Sequence, residues 1–599
     1  MNKINQRIIK KILNTQFNDI KRDKNDGKFN IDTPDYDKKT ENVKKIKIKK
    51  RKWNTLQHNG VKFPKEYIQN NVPLIYNGEK IILSKENEEI AFLYAKYIDT
   101  EYVLNNTFNK NFFNDWKKSL GKNNIIQNLS LCDFSLMKEY LNNEKEKKKE
   151  LSEENNESKQ LDDKYKYAII DGKQETVGNY RMEPPALFIG RGKNPKLGRI
   201  KKRIYPEDIT INIGKESPIP EPLVGHKWGK IVHDRHAVWL ASWKDTITGK
   251  NKYLWLSAES ELKANSDQHK FELARKLKKK AKHITEINEG YLKSGDLKTK
   301  QIATALYFID KFAIRVGNEK SEGETDTVGV TNLRIEHVYL HEDNKITLSF
   351  LGKDSVPYEN TVIVDDIIYK NMKDFIKGEN SVPKDKYEQI FDKINSNDVN
   401  KYLQSFMKEL TAKVYRTYNA SNLLQKELRK ITKKYETPSE TSETSETSET
   451  SETSSEPESK TDPAKIKIIL DEFIKANLKV AKLMNHQKNI SKGHKKSVDN
   501  VTELINNLKK KLIKARRKTK KNTVNIQKIK DKIKEYKNKK ELVKEMKNIS
   551  LGTSKQNYID PRIIVAFMKK HNLSIDKLFS KTLQNKFKWA FDVDENFIF

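Results

Sequence analysis

Leu551-Gly-Thr-Ser-Lys-Gln-Asn-Tyr558-Ile-Asp-Pro-Arg562 places one tyrosine where a long basic stretch gives way to the start of an apolar helix. Asp560 can accept from the first free backbone N–H groups of that helix, and Pro561 fits its first turn. The run Ile563–Phe567 then carries the helix into a core. Tyr558 is therefore expected in a loop held against a rigid element, where a nucleophile can be aimed. A tyrosine so placed also has an ordinary structural reading, and the rest of the chain must decide between them.

Upstream, residues 501–548 hold 18 Lys/Arg against five Asp/Glu. Val501, Leu504, Leu508 and Leu512 recur at helical spacing, as do Ile526, Ile529, Ile533 and Tyr536, with the polar break Lys518–Asn522 between them. This pattern predicts an antiparallel helical hairpin with a narrow apolar seam and a cationic outside. Residues 437–458 are a Ser-Glu-Thr repeat without apolar residues; the insertion they form, 437–461, cannot bury a core and is expected to be flexible. A helix restarts at Asp462-Pro463, with Ile466, Leu470, Phe473 and Ile474 on one side. From Trp53 to about residue 435, aromatics, glycines and prolines are spread evenly, as in folded chain, interrupted by the charged helical stretch Tyr140–Asp163. Ile346, Leu348 and Phe350 alternate with polar residues as in a half-buried strand. Leu351–Ser355 reads as a turn and Thr361–Val364 as a second strand. Residues 1–51 are polar and lysine-rich, hence expected to be disordered. Lys44-Lys-Ile-Lys-Ile-Lys-Lys-Arg-Lys52 at their end reads as a nuclear-import signal or a phosphate-binding strip.

A chain of 599 residues exceeds what one core organises, so several domains are expected. Lys+Arg outnumber Asp+Glu by 118 to 83, a net +35 that favours a polyanionic partner. A generally Lys- and Asn-rich composition accounts for part of that excess, but not for its clustering. Cys132 is the only cysteine, which rules out internal disulfides and suits a reducing compartment. No apolar run approaches the roughly 18 residues of a membrane span, and the N-terminus lacks a signal-peptide core. A soluble intracellular protein is expected.

Four further polar residues carry potential chemistry. Arg315 follows Ala303–Ile314, a segment apolar nearly all round and so expected to form a buried helix ended by Gly317-Asn318. A buried guanidinium needs an anion, either a structural carboxylate or a substrate phosphate. Lys353 occupies the hairpin turn, where a lysine is ordinary surface. Arg416 lies opposite the stripe Leu403, Phe406, Leu410 and Val414, and so reads as solvated. His486 ends the helix through Met484, where a histidine commonly caps carbonyls. His233 and His236 lack a cysteine or third-histidine context and read as structural. Asp592-Val-Asp-Glu595 is not expected to hold a metal. There is no G-x-x-x-x-G-K-[ST] loop, so ATP is not expected, and Gly190-Arg-Gly192 lacks the third glycine of a dinucleotide motif.

In one order, the chain presents Ala313-Ile-Arg-Val-Gly-Asn-Glu-Lys320, Phe350-Leu-Gly-Lys-Asp-Ser355, Leu410-Thr-Ala-Lys-Val-Tyr-Arg-Thr-Tyr-Asn419, Asn485-His-Gln487 and Gly552-Thr-Ser-Lys-Gln-Asn-Tyr558. Together with Phe112-Phe-Asn-Asp-Trp116, Cys132-Asp-Phe134, Glu183-Pro-Pro185, Pro206-Glu-Asp208 and Trp589-Ala-Phe-Asp592, these motifs closely resemble those of the eukaryotic nuclear type IB DNA topoisomerases, from about Lys52 to Phe599. The resemblance implies an α+β multidomain fold, a bilobed clamp around double-stranded DNA. Residues 52–200 would form a clamp region. Residues 201–489 would continue into a mostly helical catalytic lobe resembling tyrosine recombinases. Residues 490–548 would be a protruding hairpin linker, and 549–599 would deliver the nucleophile.

The resemblance further implies that Tyr558 attacks a phosphodiester to give a 3′-phosphotyrosyl bond. Arg315, Arg416 and His486 would hold the phosphate, and Lys353 would act as general acid. Arg191, Asp354 and Asn557 would lie beside the cleavage site, where camptothecin-class inhibitors bind. It implies a nuclear monomer acting in replication and transcription, relaxing supercoils of both signs without ATP, cofactor or required metal. The basic hairpin would slow strand rotation by gripping downstream DNA. Two departures stand out: a short N-terminal extension, and the Ser-Glu-Thr insertion between Arg416 and His486, tolerable because closure entropy grows only logarithmically with loop length. A tyrosine recombinase would use similar chemistry but need synapsis at defined sites. A basic chromatin protein would explain the charge but not five ordered motifs.

Overall fold

The computed structural model describes residues 51–150, 163–319, 324–377, 382–435, 463–488, 490, 493–518 and 523–599. The N-terminal extension up to residue 50, the 437–461 insertion and the break at 519–522 lie outside them. The fold is mixed α+β, with about half of the described residues helical.

In chain order, the first part comprises β1 (Leu56–His58), β2 (Leu74–Tyr76), β3 (Glu79–Ile81), α1 (Lys85–Ala95), α2 (Asn106–Leu120), β4 (Cys132–Asp133), α3 (Ser135–Glu150), β5 (Tyr167–Ile170) and β6 (Lys173–Thr176). It continues through β7 (Ala186–Leu187), β8 (Ile200–Lys201), β9 (Thr210–Asn212), β10 (Lys230–Val232), β11 (Trp239–Lys244) and β12 (Asn251–Trp255). The strands make small sheets ordered β1-β5-β6, β3-β2-β4, β7-β8 and β10-β9-β11-β12; only β9 and β10 run parallel. Two apolar cores serve this part. Trp53, Leu56, Ile211, Leu240 and Leu254 anchor one, while Phe92, Phe108, Phe112, Trp116 and Phe134 anchor the other.

A single larger core runs from Phe271 to Phe599. It collects α4 (Glu261–Tyr291), α5 (Leu297–Phe312), β13 (Val338–Leu340), β14 (Lys345–Gly352), β15 (Val356–Ile363), α6 (Asp366–Lys377), α7 (Ser396–Phe406), α8 (Ala412–Tyr435) and α9 (Pro463–Leu483). The alternation of Ile346, Leu348 and Phe350 does form a strand with those three side chains buried. Its partner begins earlier than the sequence suggested. β15 already pairs at Val356, because Asp354 and Ser355 take left-handed backbone angles, φ 66° and 57°, that reverse the chain within three residues.

Then come α10 (His494–Lys518) and α11 (Thr523–Glu545), which lie against each other, followed by α12 (Leu551–Asn557) and α13 (Pro561–Lys570). One seam residue differs from expectation. Ile505 is 5% exposed and Leu504 45%. At about 100° per residue, Val501, Ile505, Leu508 and Leu512 cluster on one face, and Leu504 falls about 70° off its centre.

Candidate active site

Tyr558 does not sit in a loop leading to a helix; it sits between two helices. Leu551–Asn557 coils into α12, and the Tyr558 and Ile559 amides both donate to the Ser554 carbonyl, at 2.9 and 3.0 Å. Asp560 then caps α13, accepting from the Arg562 amide at 3.0 Å, with Pro561 at the first helical position, an arrangement worth about 1 kcal/mol. The apolar side chains after it, Ile563 to Phe567, are all buried. Ser421 of α8 holds the joint from behind: its hydroxyl donates to the Tyr558 carbonyl at 3.1 Å and accepts from the Asp560 amide at 3.0 Å. Lys270 of α4 and Lys586 bind the Asn557 and Gln556 carbonyls, at 3.2 and 2.9 Å. Cations at the C-terminal carbonyls of a helix suit its dipole.

Arg315 reaches Tyr558 because α5 stops early. The helix ends at Phe312, and Ala313, at φ 50°, is the left-handed residue that closes it, four residues before Gly317. For an alanine this costs on the order of 1–2 kcal/mol. The Arg416 guanidinium offsets it by donating to the Ala313 carbonyl. Gly317 has a different task. A side chain on Gly329 would collide with the backbone of residues 315–317, and one on Gly317 with the Asn332 side chain; their lack of one lets residues 315–316 bond to 330–331. Arg315 is thereby fixed half-buried, donating from Nη1 to the Tyr558 hydroxyl at 3.2 Å.

Arg416 is buried, not solvated. The stripe that suggested exposure spans two helices: α7 ends at Phe406 and α8 begins at Ala412, so the angular count breaks between them. Its guanidinium donates to the Met484 carbonyl at 3.1 Å, and its central carbon lies 5.2 Å from the Tyr558 ring centroid. His486 likewise faces inward. Asn485, at φ 51°, closes α9: its amide and that of His486 bond back to Lys482 and Ala481, so the asparagine caps the helix and the histidine is free to turn in. The His486 ring lies 5.2 Å from the Tyr558 ring, with Nδ1 2.7 Å from Ser554 Oγ. An isolated bridge between Gln487 and Ile549 ties the two strands of chain together.

Lys353 is exposed at the tip of the β14–β15 hairpin. No hydrogen bond joins it to Tyr558, but it lines the same cavity of about 40 Å³ as Arg315, Arg416 and Asn485. Arg191 and Asp354 form an ion pair at 2.8 Å across the mouth of the hairpin turn, where Gly192 at φ +61° leaves room for Ser355. Asn557 is exposed beside the nucleophile and donates to the Thr553 carbonyl at 3.2 Å. His233 bonds the Ile213 carbonyl at 2.8 Å. Among the described residues no cluster of three or more His, Cys, Asp or Glu could hold a metal, and no helix is long and apolar enough to cross a membrane.

The electrostatics centre on the tyrosine. Burial works against its ionisation, but the charges of Arg416 and Arg315 and their contacts with the hydroxyl outweigh it, so the phenol pKa is lowered. Burial, then the neighbouring Arg315, pulls the Arg416 guanidinium down to about 10. Burial and the two arginines pull His486 down to about 3, leaving a neutral imidazole at physiological pH. Among the described residues no carboxylate lies in ion-pair range of Arg315 or Arg416. Arg416 Nε and His486 Nε2 are buried without a hydrogen-bond partner. The sequence pattern gave no sign of Ser421, Ser554, Lys270 or Lys586; only the spacing of Ser554, four residues before Tyr558, hinted at a helical contact.

Comparison with known proteins adds an independent finding. Models for "Eukaryotic DNA topoisomerase I, DNA binding fragment", "Eukaryotic DNA topoisomerase I, catalytic core" and "C-terminal topoisomerase domain" match residues 51–256, 259–519 and 530–599. The chain is 40% identical over 582 residues to DNA topoisomerase 1 beta of Arabidopsis thaliana, covering 92% of this chain and 59% of that one. It is 40% identical over 583 residues to DNA topoisomerase 1 of Homo sapiens, covering 92% of this chain and 72% of the human protein. The same enzyme of Caenorhabditis elegans is 40% identical over 584 residues, with 68% of its length covered.

Proposed function

Because the chain belongs to the eukaryotic DNA topoisomerase I family, we propose that it is a type IB DNA topoisomerase that cuts one strand of duplex DNA through Tyr558, lets that strand rotate about its partner, and reseals it. One observation supports this above all: two buried, partnerless groups, Arg416 Nε and His486 Nε2, beside a phenol held by Arg315, with no carboxylate among the described residues neutralising the cations. Leaving such groups unpaired costs about 1–3 kcal/mol each. A tetrahedral phosphate entering the site would satisfy them together.

In this reading Tyr558 gives its proton to solvent, the phenolate oxygen attacks phosphorus, the bond to the 5′-oxygen breaks, and a 3′-phosphotyrosyl link forms. The two guanidiniums and His486 stabilise the charge that builds on the nonbridging oxygens. The departing 5′-oxygen needs a proton, and Lys353 at the cavity rim, with no ion-pair partner among the described residues, is placed to supply it as general acid. One phosphodiester is exchanged for another, so relaxation of positive or negative supercoils needs no ATP. Resealing reverses the step. Arg191, Asp354 and Asn557 would flank the cut, where DNA and camptothecin-class inhibitors bind.

Residues 52–200 and 201–489 would close around the duplex as a monomer, with a catalytic lobe of the tyrosine-recombinase type. The hairpin within 490–548 would be the linker, its lysines contacting phosphates and slowing rotation. Binding would then be steeply salt-dependent and weakly sequence-selective. The compartment that goes with this reading is the nucleus. The test is relaxation of supercoiled plasmid in EDTA without nucleotide. The wild type should relax both signs and leave a denaturant-resistant adduct, and Tyr558→Phe should do neither. Relaxation by Tyr558→Phe would rule out the assigned nucleophile.

A further inference from the structure

We infer that Ser554 is a positioning residue that fixes the tautomer of His486, so that the imidazole presents Nε2–H to the phosphate only while the tyrosine-bearing helix is docked. The inference rests on the proposed function for its phosphate, but on the geometry for everything else.

Ser554 is fully buried, and its hydroxyl has one partner, His486 Nδ1, at 2.7 Å. Two arrangements fit that distance. If Nδ1 carried the proton and donated to Ser554, the serine O–H would have no acceptor in range, and Nε2 would offer a bare lone pair to an anionic substrate. If the serine donates to Nδ1, its O–H and the Nδ1 lone pair are both satisfied, and the ring proton must reside on Nε2. Which nitrogen of a neutral imidazole holds the proton is set by the bond the other nitrogen makes. The second arrangement pairs the serine donor and leaves Nε2–H as the histidine's one idle group, a donor that an anionic substrate can take up.

The same residue holds the nucleophile. The Ser554 carbonyl accepts the Tyr558 and Ile559 amides, while its side chain reaches the histidine. A displacement of α12 that withdrew Tyr558 would remove the hydroxyl from His486 in the same motion. Loss of the nucleophile and loss of the oxyanion donor would therefore be coupled, and neither could act alone on a bound phosphodiester.

The experiment uses the full chain with histidine-selective ¹⁵N labelling, His486→Gln serving to assign the His486 signals. The wild type should show Nε2 protonated and Nδ1 bare; Ser554→Ala should show a mixture of tautomers. In single-turnover cleavage of an oligonucleotide duplex, Ser554→Ala should be slower by roughly ten- to a hundredfold, the scale seen when the partner that orients a metal-ligating histidine is lost. Noncovalent DNA affinity should be unchanged, Ser554→Thr should restore the rate, and Ser554→Ala should cost nothing more once His486 is already glutamine. Should the alanine variant fail to fold, Ser554→Thr and Ser554→Val, matched in shape, make the same comparison. Persistence of the single Nε2–H tautomer in Ser554→Ala overturns the inference, as does an equal further slowing on top of His486→Gln. A wild type that fixes the tautomer through Ser554 yet never forms an adduct would sink the proposed function and leave this inference standing.

Discussion

The pair α10–α11 holds together along one apolar seam with a mainly basic outside, whereas the pocket around Tyr558 gathers charge at its centre and surrounds it with apolar side chains. Val501, Ile505 and Ile533 are buried between the two helices but join none of the three large cores. Tyr558 belongs to the largest core, with Arg416 and His486 about as buried as their apolar neighbours. A solvated lysine needs no partner, so the hairpin tolerates its charge at little cost. A buried guanidinium must be given bonds, and Arg416 receives them from the carbonyls of Ala313 and Met484, two places where helices end. Charge in the hairpin is surface; charge in the pocket is structure as well as chemistry.

Short of removing the nucleophile, the largest effect should come from Arg416→Lys. The ammonium keeps the charge but cannot span both carbonyls and present a third donor. Cleavage should fall by about 10²–10³-fold, the scale of losing one preorganised donor to a transition-state oxyanion. The folded state should lose about 1–3 kcal/mol through the unpaired carbonyls. A Lys→Arg exchange on the exposed face of the hairpin should leave both quantities alone. Single-turnover cleavage with thermal melts checks the contrast, and an equal response in the two regions would erase it.

Protons should separate the regions next. Because Arg416 and Arg315 lower the Tyr558 pKa, the logarithm of the cleavage rate should rise with pH and flatten above that lowered value. Arg315→Gln removes one of the two charges, so the phenol titrates higher and the plateau moves to higher pH. His486 titrates at about 3 when folded against 6.5 as an ordinary histidine. Between those values the unfolded chain binds more protons. His486 therefore contributes its full stability above pH 6.5, and that stability is lost as pH falls toward 3. His486→Gln should flatten this part of the acid limb by roughly a few kcal/mol. Denaturant melts from pH 7 to 4 measure it, and an unchanged acid limb would contradict the neutral buried imidazole.

The same contrast explains what could be read in advance. Apolar period marked the hairpin helices, β14 and the start of α13, because burial on one face leaves a periodic trace. The Asp560-Pro561 cap was legible because capping is local. Arg416 was not: its burial depends on α8 being enclosed by elements far away in sequence, and a stripe counted across the break between α7 and α8 pointed the wrong way. The end of α5 was misplaced because a left-handed alanine is held there by a distant guanidinium, not by a local glycine signal. The residues later found to meet at Tyr558 were nameable only through ordered motifs, each ordinary alone. Ser554 stood inside a motif without a role of its own and Ser421 stood outside every motif, since their side-chain contacts with His486 and with the Tyr558–Asp560 backbone join residues distant in sequence.

The smallest effect is the most local. Leu504 and Ile505 are adjacent apolar residues that both fit a helical repeat, but only Ile505 faces α11. Ile505→Ala should cost about 2 kcal/mol, the low end for a buried aliphatic because a two-helix seam collapses easily. Leu504→Ala should stay within about 0.5 kcal/mol, as an exposed substitution does. The hairpin's buried residues lie outside the main cores, so the loss should appear as local opening: faster amide exchange across 494–545, with the main melting transition and the cleavage step unmoved. If Leu504→Ala opened the hairpin as readily as Ile505→Ala, the seam would run through the other register, and the helical pair would be turned so that a different row of lysines faced outward.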